Sequence, residues 1–389
     1  MKVQNLKDPI SINGFASVSA LGADHATVWD NYNSGHAFFT AFEGKDESVL
    51  VSKISQTLEA RLQTLAASNA NYQRLDRSVL LAIMAARQTI KAAGITTANV
   101  GVNLGSSRGA TALFESYHKD FLTNNTAKTL ASPTTTLGNI SAWVAQDLRL
   151  SGVNLSHSVT CATAMHSVLN GIAWLQGDMA DAFLVGGSEA PLTPFTVAQM
   201  QALNLYAKEP GSHPCHALDF DKKSNTMILG EGAATAILKK GVSKTAQGHI
   251  VGYGWGSELL THHTSLSKQA DCFKLSMQQA LDNSGLDGVD VIVMHAPGTM
   301  LGDRAELNAI RKIFSNKLPF LTTNKTIIGH TLGASGMMSL EMALLMLANN
   351  SVIDPIYFHN QNQINNPVKS VLVNAVGFGG NAVSIIVTK

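Results

Sequence analysis

Residues 88–102 read QTIKAAGITTANVGV, and residues 279–293 read QALDNSGLDGVDVIV. Each stretch ends a helix-like run, passes a glycine stop signal (Gly94, Gly285) and enters a short apolar strand. Both strands then run into glycine-containing turns, Gly105-Ser106-Ser107 and His295-Ala296-Pro297-Gly298. A match of this kind, once found, directs the search for others in the same order.

Working outward, Ile12-Asn13-Gly14-Phe15 corresponds to His249-Ile250-Val251-Gly252-Tyr253-Gly254. Ala233-Ala234-Thr235-Ala236-Ile237-Leu238 corresponds to Ala382-Val383-Ser384-Ile385-Ile386-Val387. The passage from Ser158 through Cys161 into a helix corresponds to Thr322 through His330 into a helix. Alternating αβ segments share such features by chance, but four pieces in one order favour a duplicated chain. The halves are placed at 1–245 and 246–389, with the surplus of the first, roughly 110–150 and 190–218, expected to be insertions, caps or partner-facing segments. Strands alternating with helices predict α/β layers. Apolar runs such as Ala182-Phe183-Leu184-Val185 read as strands buried on both faces.

Composition narrows the function. At 389 residues, two lobes are the expectation for the chain. Hydrophobic residues make up 45% and charged residues 14%, which favours a thick interior or a large subunit interface. A net charge of +1 with no Lys/Arg run argues against nucleic-acid binding through a basic face. Cys161, Cys215 and Cys272 are odd in number and irregular in spacing, so reduced thiols are expected rather than a disulfide framework. The N-terminal residues lack a signal-peptide core, and no run of about 18 apolar residues predicts a spanning helix. The expectation is a soluble cytoplasmic protein.

Ser158-Val159-Thr160-Cys161 reads as a strand end and Ala162 to Leu169 as the first turns of a helix. A thiol at such a junction faces unpaired N–H groups and the positive end of the helix dipole. That field favours thiolate below the free-cysteine pKa of about 8.5, and the same N–H groups can stabilise an oxyanion. An inert buried cysteine is the other reading. His295 follows the strand Val291-Ile292-Val293-Met294, and His330 follows Thr323 to Gly329; both stand where strands give way to glycine-rich turns. By the repeat, these ends fall near the Cys161 end.

Six segments in order carry a family resemblance: Val159 to Thr163, Asp181 to Glu189, Asp219 to Ala233, His295 to Glu306, Lys325 to Ala334, and Asn374 to Asn381. Over nearly its whole length the chain resembles the chain-elongating β-ketoacyl-acyl-carrier-protein synthases. The resemblance implies the thiolase fold, a layered αβαβα arrangement of two duplicated halves, the first with the nucleophile and the second with two catalytic histidines. It implies that Cys161 takes an acyl group from acyl carrier protein, that a malonyl carrier then loses CO₂, and that His295 and His330 bond the thioester oxygen as enolate charge develops. The backbone N–H groups of Cys161 and Phe378 would form the oxyanion hole, with Phe378 also the gate. Lys325, Asp303 and Glu306 would form a charge cluster orienting the histidines, a purely structural ion pair being the other reading. No tightly bound cofactor and no metal are implied, since the substrates ride on the carrier's phosphopantetheine. A dimer is implied, either with an identical subunit or with a related chain-length-factor subunit.

The chain also departs from that pattern. Ala296-Pro297-Gly298-Thr299 stands where the family usually has Gly-Thr-Ser-Thr, so Thr299 is kept for pantetheine while Pro297 removes a hydroxyl. Ser339 stands where bacterial fatty-acid enzymes often carry a glutamate, with Glu341 as a substitute to be tested. Arg108 falls where an apolar residue usually lines the acyl pocket, and an unpaired guanidinium against an alkyl chain is costly. Either Arg108 points elsewhere or the acyl group is not plain alkyl; a specialised polyene or aryl-primed pathway is the expectation. His213-Pro214-Cys215-His216 and His262-His263 lack a second cluster at zinc spacing and read as loops. Two rivals are a coenzyme A-dependent thiolase-type enzyme, disfavoured because no cysteine lies in the last hundred residues, and a non-catalytic chain-length factor, disfavoured because Cys161, His295 and His330 are all present.

Overall fold

The computed structural model describes residues 6, 8–43, 48–96, 99–137, 139–208, 211–259, 266–359 and 367–389; His262 and His263 lie outside them. The first half builds a five-stranded sheet from β1 (Ile10–Val18), β2 (Gly101–Gly105), β3 (Asn154–Leu155), β4 (Phe183–Glu189) and β5 (Gly232–Lys240). The second builds another from β6 (Gly248–Ser257), β7 (Val291–Val293), β8 (Phe320–Thr322), β9 (Ser370–Gly377) and β10 (Asn381–Thr388). The strand orders are 3-2-4-5-1 and 8-7-9-10-6, the same permutation twice. The senses match as well. In each sheet the first three strands run parallel, and the last two joins are antiparallel.

Every matched pair in the sequence falls on corresponding elements. Helix α1 (Arg77–Ala93) ends at Gly94 with φ +59°, and α4 (Asp271–Ser284) ends at Gly285 with φ +67°. A left-handed residue stops a helix by capping its last carbonyls, and glycine adopts that conformation without a Cβ clash. The residues from Cys161 onward lead into α2 (Thr163–Gln176), and those from His330 onward into α6 (Ser335–Asn349).

Side-chain alternation along the strands sets the layers. Phe183 and Val185, with Val291 and Val293, pack between the two sheets against α2 and α6. Ala182 and Leu184 point the other way, into a cluster with Val79, Leu81 and Ile83 of α1. Ile292 and Met294 pack outward against Phe273 and Met277 of α4. Successive side chains of a strand face opposite sides, so strands covered on both faces read as continuous apolar runs. Five layers result: α1, sheet, α2 with α6, sheet, α4. The residues Leu332–Asn349 are long and apolar enough to cross a membrane by composition, and their place between the sheets accounts for it: Ser335 through Leu347 are all buried.

The surplus of the first half forms helices Thr111–Asn124, Ala131–Thr135 and Asn139–Leu148, and α3 (Pro194–Ala202). Phe114, Leu122 and Phe195 on these insertions are exposed.

Candidate active site

The parallel strands of both sheets end on one side of the layers, where ligands of α/β sheets commonly bind. There Cys161, His295, His330, Phe378, Thr299, Pro297, Arg108 and Glu306 line one cavity of about 430 Å³. Arg108 and Phe378, 270 positions apart in the chain, meet there. A second cavity of about 370 Å³, over Phe220 and Tyr357, contains neither the nucleophile nor the histidines.

The loop after β3 carries Cys161, two residues ahead of the first turn of α2. Thr160 has φ +48°, an uncommon conformation for a non-glycine residue. Its hydroxyl donates to the carbonyl of Phe378 at 3.2 Å, which ties the nucleophile turn to the turn after β9. A Cβ on Gly377 would stand 1.9 Å from Thr160 Oγ1 and 3.1 Å from the Cys161 nitrogen, so only glycine allows this approach.

The expected depression of the thiol pKa is not found. Burial pushes the Cys161 thiol up to about 12, the Glu189 carboxylate pushes it further the same way, and Lys325 opposes both. The helix start was legible in sequence; the depth of the thiol beneath the surface was not. At neutral pH Cys161 is therefore a thiol that must surrender its proton during attack.

His295 and His330 stand edge to face, ring centroids 5.1 Å apart with planes at 86°. Burial holds the His295 pKa well below its ordinary value, with His330 and Lys325 adding repulsion. Burial, then Lys325, lowers His330 to about 3. Both rings are neutral at pH 7, so each offers one N–H and one basic nitrogen. His330 is positioned through its backbone: its N–H donates to the Ile228 carbonyl at 2.6 Å, and its carbonyl accepts from the Gly230 N–H at 3.0 Å. The preceding Gly329 has φ +63° and ψ −165°, a region essentially reserved for glycine.

Lys325 feels the charges of Glu306 and Asp303, as the expected cluster requires, but forms an ion pair with neither among the described residues. Asp303 and Glu306, three apart on α5 (Met300–Ile313), share a face of that helix. Glu306 Oε1 accepts from the His295 N–H at 2.9 Å and from Asn374 Nδ2 at 3.0 Å, and Oε2 accepts from the Ala296 N–H at 2.9 Å. Ala296 has φ +25°, and this carboxyl group braces that strained residue beside the imidazole. Asp303 accepts from the N–H groups of Gly298 and Thr299, both at 3.1 Å, and its cation is Lys222 at 2.7 Å. Lys325 Nζ bonds Asn324 Oδ1 at 2.7 Å and Ser339 Oγ at 3.4 Å, with no carboxylate within 4 Å among the described residues. Burial lowers Lys325 to about 8. Glu341 does not take the place of the missing glutamate: it bonds Ser17 at 2.7 Å, and the side chain beside Lys325 is Ser339 itself.

Two contributors went unassigned at the sequence level. Lys222 is one. The other is Glu189, which accepts from Ser106 Oγ at 2.8 Å and from the N–H groups of Ser107 at 2.7 Å, Arg108 at 3.1 Å and Gly333 at 2.8 Å. It thereby pins the turn after β2 to the turn after His330. Its place at the end of the Gly-Gly strand segment was a signal, but nothing in sequence gave its partners. Arg108 lines the cavity, and its guanidinium reaches Gln199 on α3. In the His213–His216 stretch, His216 pairs with Asp219 at 3.1 Å and stacks on Tyr357, while Cys215 is fully buried.

Comparison with known proteins adds independent findings. Residues 7–243 match the family described as β-ketoacyl synthase, N-terminal domain, and residues 247–358 match its C-terminal domain. The chain is 26% identical over 425 residues to 3-oxoacyl-[acyl-carrier-protein] synthase 2 of Staphylococcus aureus (strain MRSA252), covering 99% of each chain. Its fold is similar to a solved complex of a type II polyketide acyl-carrier protein with its ketosynthase bound to the hexaketide, at TM-score 0.84 and 18% identity, covering 99% of this chain and all of that one. It is also similar to the ishigamide ketosynthase/chain length factor, at TM-score 0.84 and 19% identity, covering 98% of this chain and 99% of that one.

Proposed function

The chain belongs to the β-ketoacyl synthase family, and from that membership we propose that its cavity performs decarboxylative carbon–carbon bond formation between an acyl thioester and malonyl-acyl-carrier protein. The observation that carries the reading is the convergence of Cys161, His295, His330 and Phe378 on one cavity, with both imidazoles neutral.

Cys161 sulfur attacks the acyl thioester carbonyl, forming the acyl-Cys161 bond and expelling the carrier thiolate, which takes up the proton that the cysteine gives up. A neutral imidazole in the same cavity is the base that carries it. Malonyl carrier then enters. Its bond to the carboxylate breaks, CO₂ leaves, and the electron pair passes into an enolate whose oxygen accepts N–H bonds from His295 and His330. The enolate carbon attacks the acyl-Cys161 carbonyl, and the backbone N–H groups of Cys161 and Phe378 hold the resulting oxyanion. Collapse expels the Cys161 thiolate, which takes a proton from solvent to restore the thiol, and frees the β-ketoacyl carrier. A preorganised donor of this kind is worth about 3 kcal/mol of barrier. Burial, with the Lys325 charge adding to it, keeps both rings neutral, while Glu306 sets the His295 backbone.

Thr299 and Pro297, at the cavity wall, would receive the phosphopantetheine arm. No cofactor or metal takes part in this scheme. Strand β3 occupies the edge of its sheet among the described residues, and a second subunit, identical or related, would extend the sheet there. The three cysteines are free and buried, consistent with a reducing, cytoplasmic setting. Malonyl-carrier decarboxylation tests the scheme. The native chain releases CO₂, and His295→Ala or His330→Ala suppresses that release. Unchanged release from both variants would reject it. A chain-length factor or a thiolase-type enzyme is disfavoured by this set of residues.

A further inference from the structure

The wall of the cavity around Cys161 is largely apolar, with Met200, Leu203, Leu205, Met227 and Leu332 contributing to it. Arg108 is the only lysine or arginine among its lining residues. Among the described residues no carboxylate lies within 4 Å of its guanidinium. One guanidinium nitrogen donates to the neutral Oε1 of Gln199, and Nε is buried with no hydrogen-bond partner among the described residues. The root of the side chain is fixed, because Glu189 holds the N–H groups of Ser107 and Arg108 at 2.7 and 3.1 Å. Here a guanidinium braced at both ends forms part of the wall of an apolar chamber and has one neutral partner among the described residues. A guanidinium carries five N–H donors, so an acceptor that enters the chamber with a ligand can meet those that remain.

We propose that Arg108 reads the acyl group: the preferred substrate carries an oxygen acceptor on its chain beyond the thioester, and a terminal N–H of the Arg108 guanidinium bonds that oxygen while Gln199 holds the guanidinium in place. This rests on the ketosynthase reading and adds the substrate class to it. A hydroxyl, a carbonyl and a carboxylate all present the required lone pair. A plain alkyl chain offers the guanidinium no acceptor, and a site that hydrogen-bonds its substrate rejects the analogue lacking that group.

The test is a competition for Cys161, followed by intact mass. Eight-carbon acyl carriers are offered in pairs: unsubstituted against singly oxygenated at successive positions, and unsubstituted against terminally carboxylated. A third pair sets phenylpropenoyl against 4-hydroxyphenylpropenoyl carrier. At least one oxygenated member should be loaded about tenfold faster than its unsubstituted match, equivalent to about 1.4 kcal/mol. In Arg108→Leu that ratio should fall to near one. Gln199→Leu, which frees the guanidinium without removing it, should lower the ratio part of the way and covers the case in which Arg108→Leu fails to fold. A native ratio near one in every pair, or a ratio unchanged in both variants, would overturn the proposal. Absence of any acyl-Cys161, together with absence of malonyl decarboxylation, would instead remove the ketosynthase reading beneath it.

Discussion

Replacing Glu306 with glutamine tests how the site holds its first histidine. The carboxyl group serves three donors: His295 N–H and Asn374 Nδ2 on Oε1, and Ala296 N–H on Oε2. An amide has one oxygen. If that oxygen takes the Oε1 place, the new NH₂ faces the Ala296 N–H; in the reverse orientation two bonds are lost. The first arrangement is cheaper and forfeits one bond while leaving a buried N–H unpaired. That loss costs about 2–4 kcal/mol, the range for a hydrogen bond to a charged or buried group plus an unsatisfied donor. Ala296 already holds φ +25°, and without its brace the turn relaxes and moves the His295 ring. Displacement of a catalytic group by about 1 Å costs on the order of 100-fold. Glu306→Gln should therefore lower malonyl-carrier decarboxylation by about 10- to 100-fold. The thermal midpoint should drop too. Iodoacetamide alkylation of Cys161, which depends on the other half of the site, should stay within about twofold of native, because Glu306 contacts no part of the nucleophile turn. Unchanged decarboxylation would refute the positioning role. Equal loss of alkylation and decarboxylation would show a collapsed site instead.

Lys222→Met should destabilise the protein by about 3–5 kcal/mol, the cost of stranding one member of a buried ion pair; chemical denaturation reads it, and a change below about 1 kcal/mol would refute the importance of the pair. Lys222 and Asp303 are 3% and 0% exposed, so solvent does little to screen them. For Glu341→Gln the prediction concerns pH. Burial raises the Glu341 carboxyl from 4.5 to about 7, with only the Ser17 hydroxyl opposing. A carboxyl whose folded pKa is raised contributes stability that is fully present below about 4.5 and is lost as pH rises through about 7. Glutamine does not titrate, so the variant should gain on the native protein between pH 5 and 8, and a stability difference flat across that window would contradict this.

How far the sequence reached follows from what each feature depends on. The helix stops at Gly94 and Gly285 and the doubled apolar strands are local, and local signals led to the paired sheets with their shared strand order. Cys161 was legible at a strand-to-helix junction, His295 and His330 at strand ends beside glycine-rich sequence, and the three line one cavity. What escaped was set by packing at a distance. Asp303 finds Lys222, 81 residues away, rather than Lys325, because the loop after His216 folds over α5. Glu189 gathers donors from Ser106 and from Gly333, 144 residues on. The thiol pKa went the opposite way from the expectation because burial, which no local pattern encodes, raises it and the Glu189 carboxylate adds to the rise.

The account stands on acyl transfer to one sulfur. Purified protein incubated with an acyl carrier, digested and weighed, should show the acyl mass on the peptide containing Cys161, and adding malonyl carrier should discharge it as a β-ketoacyl product. The Cys161→Ala variant should show neither. Acyl mass on a different residue, or condensation that continues in the alanine variant, would contradict it.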